Sequence, residues 1–343
     1  MYKAAIIGCG GRAAAHIEAY GHIGDASVVA CTAPSPVRRG PLSKKYGIHE
    51  YDNAIEMIKK ENPDIVHIVT WPDTRVELMS LVSDCGVPLC TVEKPVASGV
   101  ADYKLLCDLE SASKTKFAVC HQLRWQRQLI KCREALQEGK IGPIKFIHMS
   151  AGMNISGQGT HTLNYGLSMA DNSPVVRVFG NAYGWDNTDP GHPAPLATEA
   201  CLKLENGIDA LWTSGYISPR CGNPDTTWQH VRIAAYADRG RTLYEEFGKW
   251  EIVSNDNIDE GDYGGLDEWR KNNVLAQAGF HEAMFRWHEN NIIPGTNLKQ
   301  SLHEWSVVLA LYQSAIENRP VEIKSFDPPE DLVGRIKNKL CND

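Results

Sequence analysis

The sequence predicts an α/β protein, an N-terminal doubly wound (Rossmann) parallel sheet followed by an α+β domain built on an antiparallel sheet. Three observations predict it. Short apolar runs alternate with helix-length segments through the first third, a glycine-rich turn follows the first run, and after about residue 120 the strands lengthen and join through tight turns. A chain of 343 residues, 43% apolar, suits roughly two such domains, placed at residues 1–122 and 123–343.

The runs Ala4-Ala5-Ile6-Ile7, Ala26 to Cys31, Ile65 to Val69, Pro88 to Val92 and Phe117 to Cys120 are apolar on both faces, as strands covered by helices on two sides must be. Between them, Val76, Met79 and Val82 recur at near-helical spacing before Gly86, a candidate C-terminal cap. Leu129, Ile130 and Leu136 likewise precede Gly139 and Gly142. Further on, Leu202 to Trp212 reads as a hairpin with a two-residue turn at Asn206-Gly207, and Val231 to Tyr236 pairs with the segment from Thr242 across Asp238-Arg239-Gly240. Residues 181 to 198 and 218 to 228, rich in Gly, Pro, Asn and Asp, read as loops. Leu302, Trp305, Leu309, Tyr312 and Ile316 make one apolar helix face.

Composition narrows the function. A formal charge of −7 without runs of like charge excludes nucleic acid and anionic lipid as expected partners. No stretch has the length of a bilayer span and no apolar leader precedes the first strand, so the expected location is the cytoplasm. The ten cysteines lack CxxC spacing and read as reduced, mostly buried thiols. His192, His230, His281 and His288 form no recognisable ligand set, and no metal is expected; for His281 and His288, packing is the expected role.

Gly8-Cys9-Gly10-Gly11-Arg12-Ala13 is a GxGxxA fingerprint between strand and helix. Gly8 permits the turn, Gly10 admits a pyrophosphate to the backbone, Ala13 packs the helix close, and the helix N-terminus with Gly11 and Arg12 faces the phosphates. The ribose-binding carboxylate usual after the second strand is absent. Thr32, Ser35, Arg38 and Arg39 stand there instead, and a guanidinium beside a 2′-phosphate leans the cofactor towards NADP. The alternative is NAD held by backbone and Ser35, with both arginines solvated.

Two further segments end parallel strands, where open α/β sheets bind ligands: Thr70-Trp71-Pro72 with Arg75, and Glu93-Lys94-Pro95. With these motifs the chain resembles the Gfo/Idh/MocA oxidoreductases (glucose-fructose oxidoreductase and inositol dehydrogenase), over nearly its whole length. Gly139-Lys140-Ile141-Gly142 and the Arg124 stretch add to the likeness. The resemblance implies an open-faced, mostly antiparallel second-domain sheet that mediates a homodimer or homotetramer. It also implies that Lys94 reaches both nicotinamide and the reacting hydroxyl, while Glu93 and Pro95 shape the turn. A lysine ammonium beside a cationic ring is disfavoured, so a neutral amine would accept the hydroxyl proton as hydride leaves.

The segment Gly157 to Asn164 resembles the family's second catalytic stretch. His161 matches, but Gly157 and Asn164 replace its two acids. Lys94 is therefore expected to be the main acid–base group, with His161 orienting substrate or sharing the proton, or else a structural histidine. Trp71 and Arg75 also depart from the family, which often has proline and histidine there. Arg124, Trp125, Gln158 and Asn164 are expected to bind substrate, by hydrogen bonds and by stacking on a sugar ring.

The expected function is NAD(P)-dependent hydride transfer with a secondary alcohol of a sugar, glycoside or cyclic polyol. Two alternatives stay open. One is a cofactor-retaining enzyme that cleaves glycosides or eliminates a leaving group through transient oxidation. The other is a non-catalytic nucleotide-binding sensor.

Overall fold

The computed structural model describes residues 1–186, 188, 193–221, 226–255 and 257–342, so His192 lies outside them. The chain forms two compact units. The first holds Met1–Ala97, Asp102–Gln122 and Asn273–Leu302, and the second holds Ser98–Ala101, Leu123–Asn272 and His303–Asp343. The first unit is discontinuous in sequence, since the segment Asn273–Leu302 belongs to it, which one cut along the sequence cannot express.

The first unit carries a six-stranded parallel sheet: β1 (Tyr2–Ile7), β2 (Ala26–Thr32), β3 (His49–Tyr51), β4 (Ile65–Ile68), β5 (Leu89–Glu93) and β6 (Lys116–Cys120). The order is β3-β2-β1-β4-β5-β6, so the winding reverses between β1 and β4. Fully buried runs make β1, β4 and β5 the centre. The edge strand β3 went unpredicted because His49-Glu50-Tyr51 is largely exposed and has no apolar run to announce it.

Helices cross between the strands at Gly11–Ala19, Pro36–Tyr46, Ala54–Glu61 and Arg75–Asp84. Their ends follow local chemistry. The Asn53 side chain accepts from the Glu56 N–H at 2.8 Å, and Gly47 and Gly86 close helices in the left-handed region at φ 68° and 70°.

The second unit carries a nine-stranded sheet: β7 (Ile144–Ala151), β8 (Val175–Asp186), β9 (Ala194–Leu204), β10 (Asp209–Gly215), β11 (Val231–Ala237), β12 (Gly240–Glu245), β13 (Lys249–Ser254), β14 (Asn257–Asp262) and β15 (Val321–Glu322). Its order is β14-β13-β12-β11-β7-β10-β9-β8-β15, antiparallel except for the parallel pair β7 and β10.

Three expectations change here. Most of residues 181 to 198 belongs to β8 and β9, not to a loop. Gly184 within it serves packing: a Cβ there would lie 2.8 Å from Leu196 Cδ1. The turn after β9 has three residues, with Leu204 N–H bonded to Ile208 O at 2.9 Å and Gly207 at φ 90°. Helix Leu298–Glu317 is buried all round from Glu304 to Ala315, not on one face, so its apolar stripe understates its burial.

All ten cysteines are free, and among the described residues no helix is long and apolar enough to cross a membrane.

Candidate active site

The glycine loop after β1 is built from two different needs. Gly8 has φ 104°, and a Cβ there would lie 2.3 Å from the Val69 carbonyl oxygen, so contact with the neighbouring strand demands glycine. Gly10 and Gly11 have nothing within 4 Å of such a Cβ, so the protein itself does not require them. The space beside their backbone is a cradle a side chain would fill. Helix Gly11–Ala19 starts there with no side-chain cap, leaving its first turn to an outside acceptor. Ala13 is fully buried against Ile6, Cys31 and Val69. The loop fits a dinucleotide pyrophosphate on each count.

Beyond β2, Thr32 is buried and donates its hydroxyl to Tyr51 O at 2.8 Å, which pins β3 to β2. Ser35 occupies the N-cap of helix Pro36–Tyr46. Arg39 is committed within the protein: it donates to Ala33 O at 2.9 Å, binds the Asp52 carboxylate and lies 3.7 Å from Glu50. Arg38 is exposed.

The ends of β4 and β5 are tied together by Arg75. It is fully buried, and its two terminal nitrogens donate to Pro95 O at 3.0 Å and Thr70 O at 2.8 Å. Burial pushes its guanidinium down to about 10. Arg75, expected to touch the cofactor, is instead the clamp that sets Thr70-Trp71-Pro72 beside Glu93-Lys94-Pro95. Thr70 and Thr74 share a hydroxyl–hydroxyl bond of 2.7 Å, Pro72 is buried and Trp71 is 57% exposed. The peptide between Lys94 and Pro95 is cis, and Lys94 is half-buried.

Glu93 points inward. Its Oε1 lies 3.3 Å from Arg12 Nε and 3.1 Å from His16 Nε2. Burial alone would raise its pKa, but the Arg12 charge and the His16 bond outweigh that and hold the carboxyl well below the usual range. Arg12, expected at the phosphates, also donates to Gln277 Oε1 at 3.2 Å. His16 Nδ1 meets His281 Nε2 at 3.1 Å, while His67 bonds Tyr20 at 2.7 Å and Thr91 at 2.6 Å. His16, His67 and His281 present ring nitrogens within 4.8 Å of one another.

Sequence reasoning missed this core of histidines and assigned His281 to packing. The signal was there in part: His67 interrupts the apolar run of β4, a polar residue where only a satisfied one survives.

In the second unit, a π-helical turn (Ile155–Gly159) leads into helix Thr160–Met169. Asn154 accepts from the Gly157 N–H at 2.7 Å, and a Cβ on Gly157 would crowd that same oxygen at 3.1 Å. His161 is buried and stacks on Tyr165, ring centroids 5.6 Å apart. Gln158 donates to Trp228 O at 2.6 Å.

Arg124 is buried, with its terminal nitrogens on Asn164 Oδ1 at 3.1 Å and Asn172 Oδ1 at 2.6 Å. Asn164 in turn donates to Glu304 at 2.8 Å. Both were expected to bind sugar, and both are engaged in this internal chain. Trp125 beside them is half-buried.

Compared with known proteins, residues 2–121 match GFO_IDH_MocA, an oxidoreductase family with an NAD-binding Rossmann fold. A D-apiose dehydrogenase of Paraburkholderia graminis is 29% identical over 143 residues, which is 41% of this chain and 38% of that protein. Among solved structures, an oxidoreductase from Agrobacterium radiobacter in complex with NAD+, L-tartaric acid and magnesium superposes with a TM-score of 0.80 at 19% identity, covering 94% of this chain and 99% of that one. An aldose-aldose oxidoreductase from Caulobacter crescentus gives 0.76 at 18%, covering 94% and 99%. At such identities these structures show a shared fold.

Two outcomes test the geometry. Gly8→Ala should lose about 2–4 kcal/mol of stability through its clash and strain. Gly10→Ala should unfold like the parent within about 1 kcal/mol yet bind dinucleotide at least about tenfold more weakly. Denaturant titration with dinucleotide binding on both variants checks this, and equal behaviour of the two removes the distinction.

Burial holds His67 and His281 well below the histidine value of 6.5, so both stay neutral in the folded chain. The unfolded chain takes up those protons below about pH 6.5, so stability should fall as pH drops through that window. Urea midpoints at about pH 7.5 and about pH 5.5 read it, the lower expected at the lower pH.

Proposed function

We propose, from the match of residues 2–121 to the GFO_IDH_MocA oxidoreductases, that this chain is an NAD(P)-dependent dehydrogenase acting on a secondary alcohol of a sugar or cyclic polyol. One observation carries the reading: Lys94 follows β5, beside the end of β4 and one strand further from the cradle of Gly10 and Gly11 after β1. A base and a dinucleotide loop are thus presented on one edge of a single rigid sheet. The relatives named for their substrates, D-apiose dehydrogenase and aldose-aldose oxidoreductase, support the substrate class.

Bound there, the nicotinamide supplies the hydride acceptor or donor. The remaining chemistry falls to this chain. Gly10, Gly11 and the helix N-terminus hold the pyrophosphate, and Arg75 fixes the two strand ends that frame the ring. Lys94 Nζ takes the hydroxyl proton during oxidation and returns it in the reverse direction. Proline at 95, tied to Arg75 through its carbonyl, sets the path of the backbone that carries the lysine. His161, its ring backed by Tyr165 and with Gly157 and Asn164 in place of the family's acids, is the weaker base of the two.

Cofactor choice reduces to Arg38. Because Arg39 is matched by Asp52 and Glu50, only Arg38 is left among the arginines after β2 to meet a 2′-phosphate. We therefore assign NADP(H) acceptance to that side chain.

Lys94→Ala should keep dinucleotide affinity and lose turnover by about 10²-fold or more, measured as absorbance at about 340 nm over a panel of sugars and polyols with both cofactors. A fully active variant removes Lys94 from the mechanism. Arg38→Ala should weaken NADPH by about tenfold and leave NADH unchanged. Equal effects on the two cofactors, or none, remove the NADP assignment.

A further inference from the structure

The glycine loop holds one thiol, and the neighbouring strand sets another against it. Cys9 stands between Gly8 and Gly10, while Cys31 lies in β2, in register with Ile6 of β1. The loop is pinned to the end of β2 where the Gly8 N–H meets Thr32 O at 2.8 Å, and Cys9 Sγ reaches that same carbonyl at 3.6 Å, one residue beyond Cys31. Both cysteines join the buried cluster of Ile6, Ala13 and Val69, Cys31 fully enclosed and Cys9 8% exposed. A small oxidant therefore meets Cys9 first.

The two sulfurs are chemically unequal. A hydrogen bond from Cys31 lowers the Cys9 thiol, and the Arg39 charge adds to that against burial and Glu50. The same bond, together with burial, raises Cys31. Elsewhere burial wins outright, and it pushes the thiols of Cys120 and Cys132 up to about 12. Thiolate is the attacking form, so Cys9 is the nucleophile of the pair and Cys31 the thiol that resolves it.

We propose that Cys9 and Cys31 are a modification site, a pair that a peroxide converts into a reversible disulfide, and that this bridge withdraws the glycine loop from the dinucleotide. The second half rests on the reading of that loop as the pyrophosphate cradle. In the first step Cys9 sulfur attacks a peroxide oxygen, the O–O bond breaks, and the departing hydroxide leaves as water, so that Cys9 becomes a sulfenic acid. Cys31 sulfur then attacks Cys9 sulfur, the S–O bond breaks, and a second water carries off the Cys31 proton. Both thiols are oxidised by one peroxide, which is reduced to water.

Bonded sulfurs sit closer than contacting thiols, so something must move. Cys31 is held in the strand ladder, whereas Cys9 sits in a turn. Gly8 is already tight against Val69 O and has no room to give, so the shift falls on Gly10 and Gly11, whose surroundings are open. Those are the two positions of the cradle.

The bridge is read without cofactor or substrate, by adding hydrogen peroxide to the reduced full chain and digesting it with trypsin under non-reducing conditions. Cleavage after Lys3, Arg12 and Arg38 leaves Cys9 in peptide 4–12 and Cys31 in peptide 13–38, each with a single cysteine. Mass spectrometry should find these two joined, lighter by the hydrogens of both thiols, and separate again after dithiothreitol. Cys9 left as a thiol, carried on to sulfinic acid, or bridged to another cysteine overturns the proposal.

The order of attack is read in Cys31→Ser, which keeps a donor for Cys9 but cannot close the bond. Its Cys9 should hold the sulfenic acid and take a dimedone label, and an unlabelled Cys9 overturns that order. Should this variant not fold, the peptide map of the parent decides. Dinucleotide titration of the reduced, bridged and re-reduced chain reads the second half: the bridged form should bind at least about tenfold more weakly and recover on reduction, and equal affinity overturns the control of binding. If the reduced chain binds no dinucleotide while the bridge forms, the dehydrogenase reading fails and the modification site stands.

Discussion

A carboxylate taken out of water at the end of the fifth strand governs how the first unit is built. Glu93 is 9% exposed, and a buried charge survives only with partners that compensate its lost hydration. Arg12 comes from the helix after the glycine loop, His16 from one turn further along it, and Gln277 and His281 from a helix far along the chain. Segments separated by up to 265 positions meet because this group must be satisfied. The residue that follows it is Lys94, so the same bonds that hold the carboxylate fix the backbone carrying the proposed base.

Arginine plays three roles in this chain, and burial separates them. Arg75 and Arg124 are buried and use their forks on backbone and amide oxygens, which makes them fasteners of strand ends and helices. Arg12 is shared between a carboxylate and an amide. Arg38 alone among the four is exposed after the second strand, where an anionic ligand group could reach it. Identical side chains are therefore fasteners in one place and solvent-exposed in another.

Much of the fold was legible beforehand because it is written in local chemistry. Buried parallel strands must be apolar on both faces, and Ile65-Val66 or Leu89-Cys90 say so directly. The errors have equally local causes. The strand His49–Tyr51 is an exposed edge without an apolar run, and Gly184 of β8 looked like a loop residue while packing against Leu196. The histidine core was least legible, since each of its members reads alone as an ordinary core or surface residue.

The glycine fingerprint, the Glu-Lys-Pro turn and the two-part architecture were determined by the sequence alone. Each is a short-range pattern, in which adjacent residues share one turn or one strand and their spacing sets their geometry. Tertiary structure decided which side chains are free to act. Whether Arg75, Arg124 or Asn164 faces outward depends on carbonyls and amides brought from distant segments. Hydrogen-bond satisfaction in a buried interior is a property of the assembled whole, and no window of the sequence contains it.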